Sequence, residues 1–197
     1  MLKDAHLQAV IFDWAGTVVD HGAKAPADAV VRAFAEFGVA ITEAEARAPM
    51  GMAKREHVEA VIAMPRVRDA WREAHGDAPG DADVERVYAV FEPMTVDVVA
   101  DHGELIEGAA RVTRRLRERG LKIGSTTGYT RAIMAPLLPK AAAQGFAPDS
   151  LVCAGDVARG RPAPLMLYAS FVELGVWPAS SVLVVDDTPA GIRAGLA

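Results

Sequence analysis

An α/β fold is predicted, with a doubly wound parallel sheet and an inserted helical cap, on three features of the sequence. Four short apolar runs end in small or polar residues, as buried parallel strands do. Helical patterns separate the last three runs, the alternation that winds a sheet on both faces. Between the first and second runs, residues 25–99 read as helix throughout.

The first run is Ala9-Val10-Ile11-Phe12, closed by Asp13. In the long stretch that follows, Ala29, Val30, Ala33, Phe34 and Phe37 recur at helical spacing. So do Val58, Val61 and Ile62, and again Val84, Val87, Val90 and Phe91. That is too much helix for one crossover. It predicts a cap over residues 23–99, with 1–22 and 100–197 as the α/β core. A helix from Gly108 to Arg119, with Val112 and Leu116 on one face and Gly120 as its stop, leads to the second run, Leu121 to Ser125. That run closes on Thr126-Thr127. The third run, Leu151-Val152-Cys153, follows a helix from Thr130 to Ala143 and closes on Gly155-Asp156. A helix from Pro164 to Leu174, with Gly175 after it, precedes Val182-Leu183-Val184-Val185, which closes on Asp186-Asp187.

Composition narrows the function. A chain of 197 residues suffices for one domain, or for a core with a small insert. It is 51% hydrophobic and 24% charged, which is globular and not disordered. The net charge is -5, and no Lys/Arg run offers a nucleic-acid or membrane patch, so a small-molecule partner is expected. An anionic substrate would be held by local groups, not by the overall field. The single cysteine, Cys153, permits no internal disulfide and fits a reducing cytoplasm. The apolar stretch at the N-terminus is broken by Asp13 and is too short for a signal peptide or a membrane span.

Open α/β sheets bind ligands beyond the carboxyl ends of their strands. Those ends here carry Asp13, Thr127 and Asp187, two carboxylates and a hydroxyl from three separate segments. A carboxylate can attack phosphorus and form an acyl phosphate. Two anions repel, so a cation is needed. Magnesium takes one or two carboxylates plus waters and substrate oxygens, and Asp13 and Asp187 could supply them. Thr127-Gly128, with a hydroxyl and free amides before a helix, suits a phosphate group, although an ordinary helix cap has the same appearance. Arg161 lies between Gly160 and Pro162-Ala163-Pro164; the prolines stiffen that loop and could aim a guanidinium inward, where it binds phosphate oxygens bidentately.

In order along the chain, DWAGTVVD, STTG, GRPAP and VVDDTPAG resemble the four motifs of the haloacid dehalogenase superfamily. The resemblance implies a Rossmann-type core, a catalytic aspartate that is phosphorylated during turnover, and Mg2+. The carbonyl of Ala15 would join Asp13 and Asp187 on the metal. Family phosphatases carry an acid where this chain has Ala15, and a methyl group can neither protonate a leaving alkoxide nor activate water. One branch shares this substitution. The chain is similar to the phosphonoacetaldehyde hydrolases in DWAGTVVD with Ala25-Pro26, in Met50 to Val58, in Met64-Pro65-Arg66 and in Ser125 to Thr130.

That branch makes chemical sense of Ala15. Breaking a carbon–phosphorus bond expels a carbanion, unless a lysine first condenses with the substrate aldehyde and the iminium takes up the electrons. Lys54 is the candidate. On a helix it shares an apolar side with His57, Val58, Val61 and Ile62, while Arg55, Glu56 and Glu59 face away. By resemblance His57 relays protons, Met50, Gly51 and Tyr129 line the substrate pocket with Thr127, Gly128 and Arg161, and the cap helices form a homodimer. The alternatives are a phosphatase or phosphomutase of the superfamily, or an inactive homologue. Relatives often have Gly where this chain has Asp186, which could compete with Asp187 for the metal. Some have a further Asp near Gly191, so the outer shell of the metal is expected to be one carboxylate poorer. Relatives also continue beyond the position of Ala197, so the core is expected to be truncated at its C-terminus.

Overall fold

The computed structural model describes residues 7–197, so the first six residues of the expected 1–22 core segment lie outside it. Four parallel strands form one sheet in the order β3-β2-β1-β4. They are β1 (Ala9–Phe12), β2 (Lys122–Thr127), β3 (Ser150–Cys153) and β4 (Val182–Val185). Ile11 lies opposite Gly124 on one side and Val184 on the other, and Thr127 lies opposite Cys153.

β1 is apolar at every position because both faces of the sheet are covered. Val10 and Phe12 point into one core with Ile123 and with Ile133, Met134 and Leu137 of α7 (Arg131–Ala143). Ala9 and Ile11 point into the opposite core with Leu167 and Leu174 of α8 (Leu165–Leu174), and with Ala194 of α9 (Pro189–Leu196). This is the doubly wound arrangement. α6 (Ala109–Glu118) departs from expectation. Val112 is exposed and Leu116 half-buried, and Thr113 is the buried residue. The Thr113 hydroxyl donates to the Ala109 carbonyl, so a polar side chain tolerates the inward position. β4 lies at a sheet edge with Leu183 exposed.

Between β1 and β2 lie α1 (Lys24–Ala35), α2 (Glu43–Arg47), α3 (Lys54–Ile62), α4 (Pro65–His75) and α5 (Asp81–Val99). They enclose their own apolar cluster: Val30 and Phe34 of α1, Val58 and Val61 of α3, Trp71 of α4, and Val87 and Phe91 of α5. Asp20 marks the passage into these helices. Its backbone is left-handed at φ 51°, uncommon for a non-glycine residue, and its carboxylate accepts the Ala25 amide at 3.0 Å. The same carboxylate meets Nδ1 of His102, on the returning segment, at 3.2 Å. No helix among the described residues is long and apolar enough to cross a membrane.

Candidate active site

Asp13 is the first residue beyond β1, and its amide donates to the Val185 carbonyl of β4 at 2.9 Å. The carboxylate is 5% exposed. Its Oδ1 accepts from Nη1 of Arg161 at 2.5 Å, and the same nitrogen lies 3.0 Å from Oδ2 of Asp186. Nη2 of Arg161 donates to the Thr126 carbonyl at 2.7 Å and to its hydroxyl at 2.6 Å. The loop therefore does aim its guanidinium inward. Its partners are the Asp13 and Asp186 carboxylates and the end of β2.

Carboxylate oxygens of Asp13, Asp186 and Asp187 lie within 4.8 Å of one another. Burial pushes the Asp13 carboxyl up to about 6; Arg161 opposes this, while Asp186 and Asp187 add to it. One arginine against three clustered carboxylates leaves excess negative charge. Oxygen donors in such a cluster suit a hard divalent cation such as magnesium. Asp187, the most exposed of the three, is steadied by the Thr17 hydroxyl at 3.0 Å.

The helical insert supplies the other half of the site. Lys54 opens α3 and is 3% exposed, with Nζ 4.9 Å from the centroid of the Tyr129 ring. Burial lowers its ammonium to about 8; Asp13 raises it and Arg161 lowers it further. His57 lies on the same side, fully buried, with Nε2 2.8 Å from the Ala46 carbonyl. A carbonyl only accepts, so Nε2 carries the proton and Nδ1 is left as an acceptor, buried and without a partner among the described residues. Burial, with the Lys54 charge next, lowers this imidazole to about 3, so it is neutral at physiological pH. The Tyr129 hydroxyl is likewise buried and unpartnered among the described residues, and burial, then Asp20 and Asp13, raise its phenol above the ordinary range.

The loop before α3 is pressed onto the strand ends. Gly51 has φ 88°, and a Cβ there would lie 2.2 Å from the Thr188 hydroxyl. A Cβ on Gly128 would lie 2.4 Å from the Met52 carbonyl. Neither position admits a larger residue without a backbone shift. The result is a cavity of about 20 Å3 lined by Asp13, Ala15, Met50, Lys54, Thr127 and Tyr129 with Gly51 and Gly128, enough for about one water. A cleft of about 300 Å3 that Lys54 also lines is bounded by Tyr88, Thr130 and Arg159. A cleft of about 630 Å3 lies around Asp20, His21 and His102 and shares no lining residue with the small cavity.

Most of the residues singled out from sequence therefore meet around one cavity. Arg161 and Asp187 join it through Asp13, and His57 stands behind Lys54. Thr127 and Gly128 serve the closure as well: the Thr127 hydroxyl accepts the Tyr129 amide at 3.1 Å. Sequence reasoning gave no role to Thr17, Thr126, Thr188 or Asp20. The only available signal was that each lies within a quoted motif.

Residues 7–197 match the haloacid dehalogenase-like hydrolase family, and the chain belongs to it. It is 55% identical over 191 residues to the phosphonoacetaldehyde hydrolase of Paraburkholderia phytofirmans and 45% over 189 residues to that of Bacillus cereus. These matches cover 97% and 96% of this chain and 72% of each relative. The crystal structure of a phosphonoacetaldehyde hydrolase-like protein from Oleispira antarctica, 41% identical, matches with a TM-score of 0.95 over 97% of this chain and 69% of that one. Within the hydrolase class, then, this chain is a member of the phosphonoacetaldehyde hydrolases. A beta-phosphoglucomutase from Clostridium difficile, 18% identical with a TM-score of 0.76 over 96% of this chain and 80% of that one, shares the fold alone.

Proposed function

We propose that the chain hydrolyses phosphonoacetaldehyde to acetaldehyde and phosphate, using a Lys54 imine and a phosphorylated Asp13. The observation that carries this reading is the shared cavity: a buried amine from α3 and a buried carboxylate beyond β1 face the same space, and Ala15 brings no acid to it. An amine lowered to about 8 has a useful fraction of free base near neutral pH. Lys54 Nζ adds to the aldehyde carbon, water leaves, and a protonated imine results. Nδ1 of His57 is the nearby acceptor for protons shed in that exchange. Asp13 then attacks phosphorus, and the carbon–phosphorus electron pair moves into the imine to give an enamine. Protonation at carbon and hydrolysis return Lys54 and acetaldehyde; water cleaves the aspartyl phosphate.

Asp13, Asp187 and the Ala15 carbonyl would hold Mg2+, which supplies positive charge against the phosphonate and the carboxylates. Arg161 and Thr127, with the Gly128 amide, would orient the phosphonate, and Met50, Gly51 and Tyr129 would shape the aldehyde end. Residues 23–99 act as the cap in this reading, and its helices pair two chains; light scattering checks that last point. Borohydride reduction in the presence of phosphonoacetaldehyde should attach substrate carbon to Lys54, mapped by peptide mass. An active preparation that leaves Lys54 unmodified would refute the imine.

A further inference from the structure

Lys54 lines two separate spaces. One is the small cavity that it shares with Asp13, and the other is the cleft of about 300 Å3 bounded by Tyr88, Thr130 and Arg159. Among the described residues, no other side chain or backbone segment lines both. The cleft opens to solvent, since Gly155, Ala158 and Arg159 along it are exposed, whereas Lys54 is buried. Lys54 is therefore the partition between solvent and the carboxylate of Asp13. Near it the cleft wall is made of small residues, Ala53, Ala154 and Ala158. The Arg55 guanidinium on that wall is paired with Glu59 at 3.0 Å and Glu85 at 2.6 Å. Glu56 and Arg159 add one charge of each sign, so the cleft has no strong preference for an ion and suits a small neutral guest.

The reaction makes a demand that the small cavity cannot meet. Once the carbon–phosphorus bond is broken and the enamine has taken up a proton, Asp13 holds the phosphoryl group and Lys54 holds the iminium of acetaldehyde. Water must then add to the iminium carbon, the carbon–nitrogen bond breaks, Nζ leaves as an ammonium and acetaldehyde is freed. One water enters and one acetaldehyde departs, yet the inner cavity has room for about one water and is shut by Gly51 against Thr188 and Gly128 against Met52. We propose that the cleft beside Lys54 is the passage for this exchange, admitting water and releasing acetaldehyde while the loop before α3 stays seated on the strand ends. The phosphoryl group remains on the far side of Lys54, so the aldehyde step does not wait for the opening motion that limits turnover in many lidded enzymes.

The inference rests on the Lys54 imine assigned under the proposed function. Its test treats the whole chain with acetaldehyde and borohydride, without phosphonate, and follows ethylation of Lys54 by peptide mass. Ala158→Trp fills the cleft from the loop after β3, Tyr88→Trp narrows it from α5, and Ala158→Ser keeps the side chain small. Both tryptophans are expected to slow ethylation at least about 10-fold, the effect of about 1.4 kcal/mol on the barrier, while Ala158→Ser reacts as wild type. Thermal melting reports on folding, and the two tryptophans enter from opposite walls, so one variant that fails to fold leaves the other to decide. In single turnovers of phosphonoacetaldehyde quenched with borohydride, the filled variants should accumulate ethyl-Lys54 after the carbon–phosphorus bond has broken. Wild-type ethylation in the folded tryptophan variants, or an Ala158→Ser as slow as Ala158→Trp, would overturn the passage. Ethylation slowed by the tryptophans in a chain that makes no acetaldehyde from phosphonoacetaldehyde would uphold the route to Lys54 and sink the proposed reaction instead.

Discussion

Replacing Lys54 with methionine should stabilise the protein while abolishing turnover, and the stabilisation should vanish in alkali. Methionine keeps an unbranched stem of similar length and removes the buried charge. In an unfolded chain this amine titrates near 10.5, and in the folded protein near 8, chiefly because it is buried. At 1.36 kcal/mol per pKa unit, holding the ammonium in place costs about 3 kcal/mol at pH 7. The sign follows from proton counts. Between pH 8 and 10.5 the unfolded state still carries a proton that the folded state has shed, so the contribution of Lys54 to stability improves as pH rises. Below pH 8 the full cost applies, and above 10.5 none does. Urea denaturation of wild type and Lys54→Met should therefore differ by about 3 kcal/mol at pH 7 and converge toward pH 10, with the variant the more stable. A gap that does not change over this range, or a variant less stable than wild type at pH 7, would refute the reasoning.

Tyr129→Phe removes a buried hydroxyl that has no partner, and should raise denaturant stability by about 1 kcal/mol while lowering kcat; a destabilised variant would mean the hydroxyl is satisfied. Gly128→Ala drives a methyl into the Met52 carbonyl, and should lower kcat/KM about 100-fold by lifting the loop before α3, measured by coupled detection of acetaldehyde. Arg161→Ala strands the buried carboxylates of Asp13 and Asp186 and should destabilise by about 3–5 kcal/mol in chelator, with part of the loss recovered by Mg2+ in the same denaturation assay. Phe91→Ala empties the centre of the helical insert and should cost about 3–5 kcal/mol of stability, read by thermal melting.

The parts of the fold that were legible are those written in local pattern. β1 is an uninterrupted apolar run because both of its faces are covered, and α3 divides into buried Lys54, His57, Val58, Val61 and Ile62 against its charged side because helical spacing dictates it. The strand ends then follow from the topology, and with them Asp13, Thr127 and Asp187. What was illegible joins segments distant in sequence. The Thr17 hydroxyl meets Asp187 across 170 positions, and Arg161 finds Thr126 across 35. A threonine in a motif gives no sign of which carboxylate it will steady. The exposed Val112 was misread for a related reason: spacing defines a face, but only packing decides which face turns inward. Nor does sequence show that Asp186 and Gly191 share one space, since the fit depends on how α9 leaves β4.

The small cavity has a consequence for selectivity inside a cell. Under the proposed function, Asp13 on its own would be a nucleophile for any phosphate ester that reached it. Asp13 and Lys54 share a space with the loop from Met50 to Ala53 seated on Gly128 and Thr188. An ester too bulky to let that loop settle would leave the carboxylate without the amine, and Ala15 offers no acid in its stead. On the proposed function, discrimination would then be exercised by closure: a wrong guest would be rejected because its own bulk keeps the two reacting groups apart.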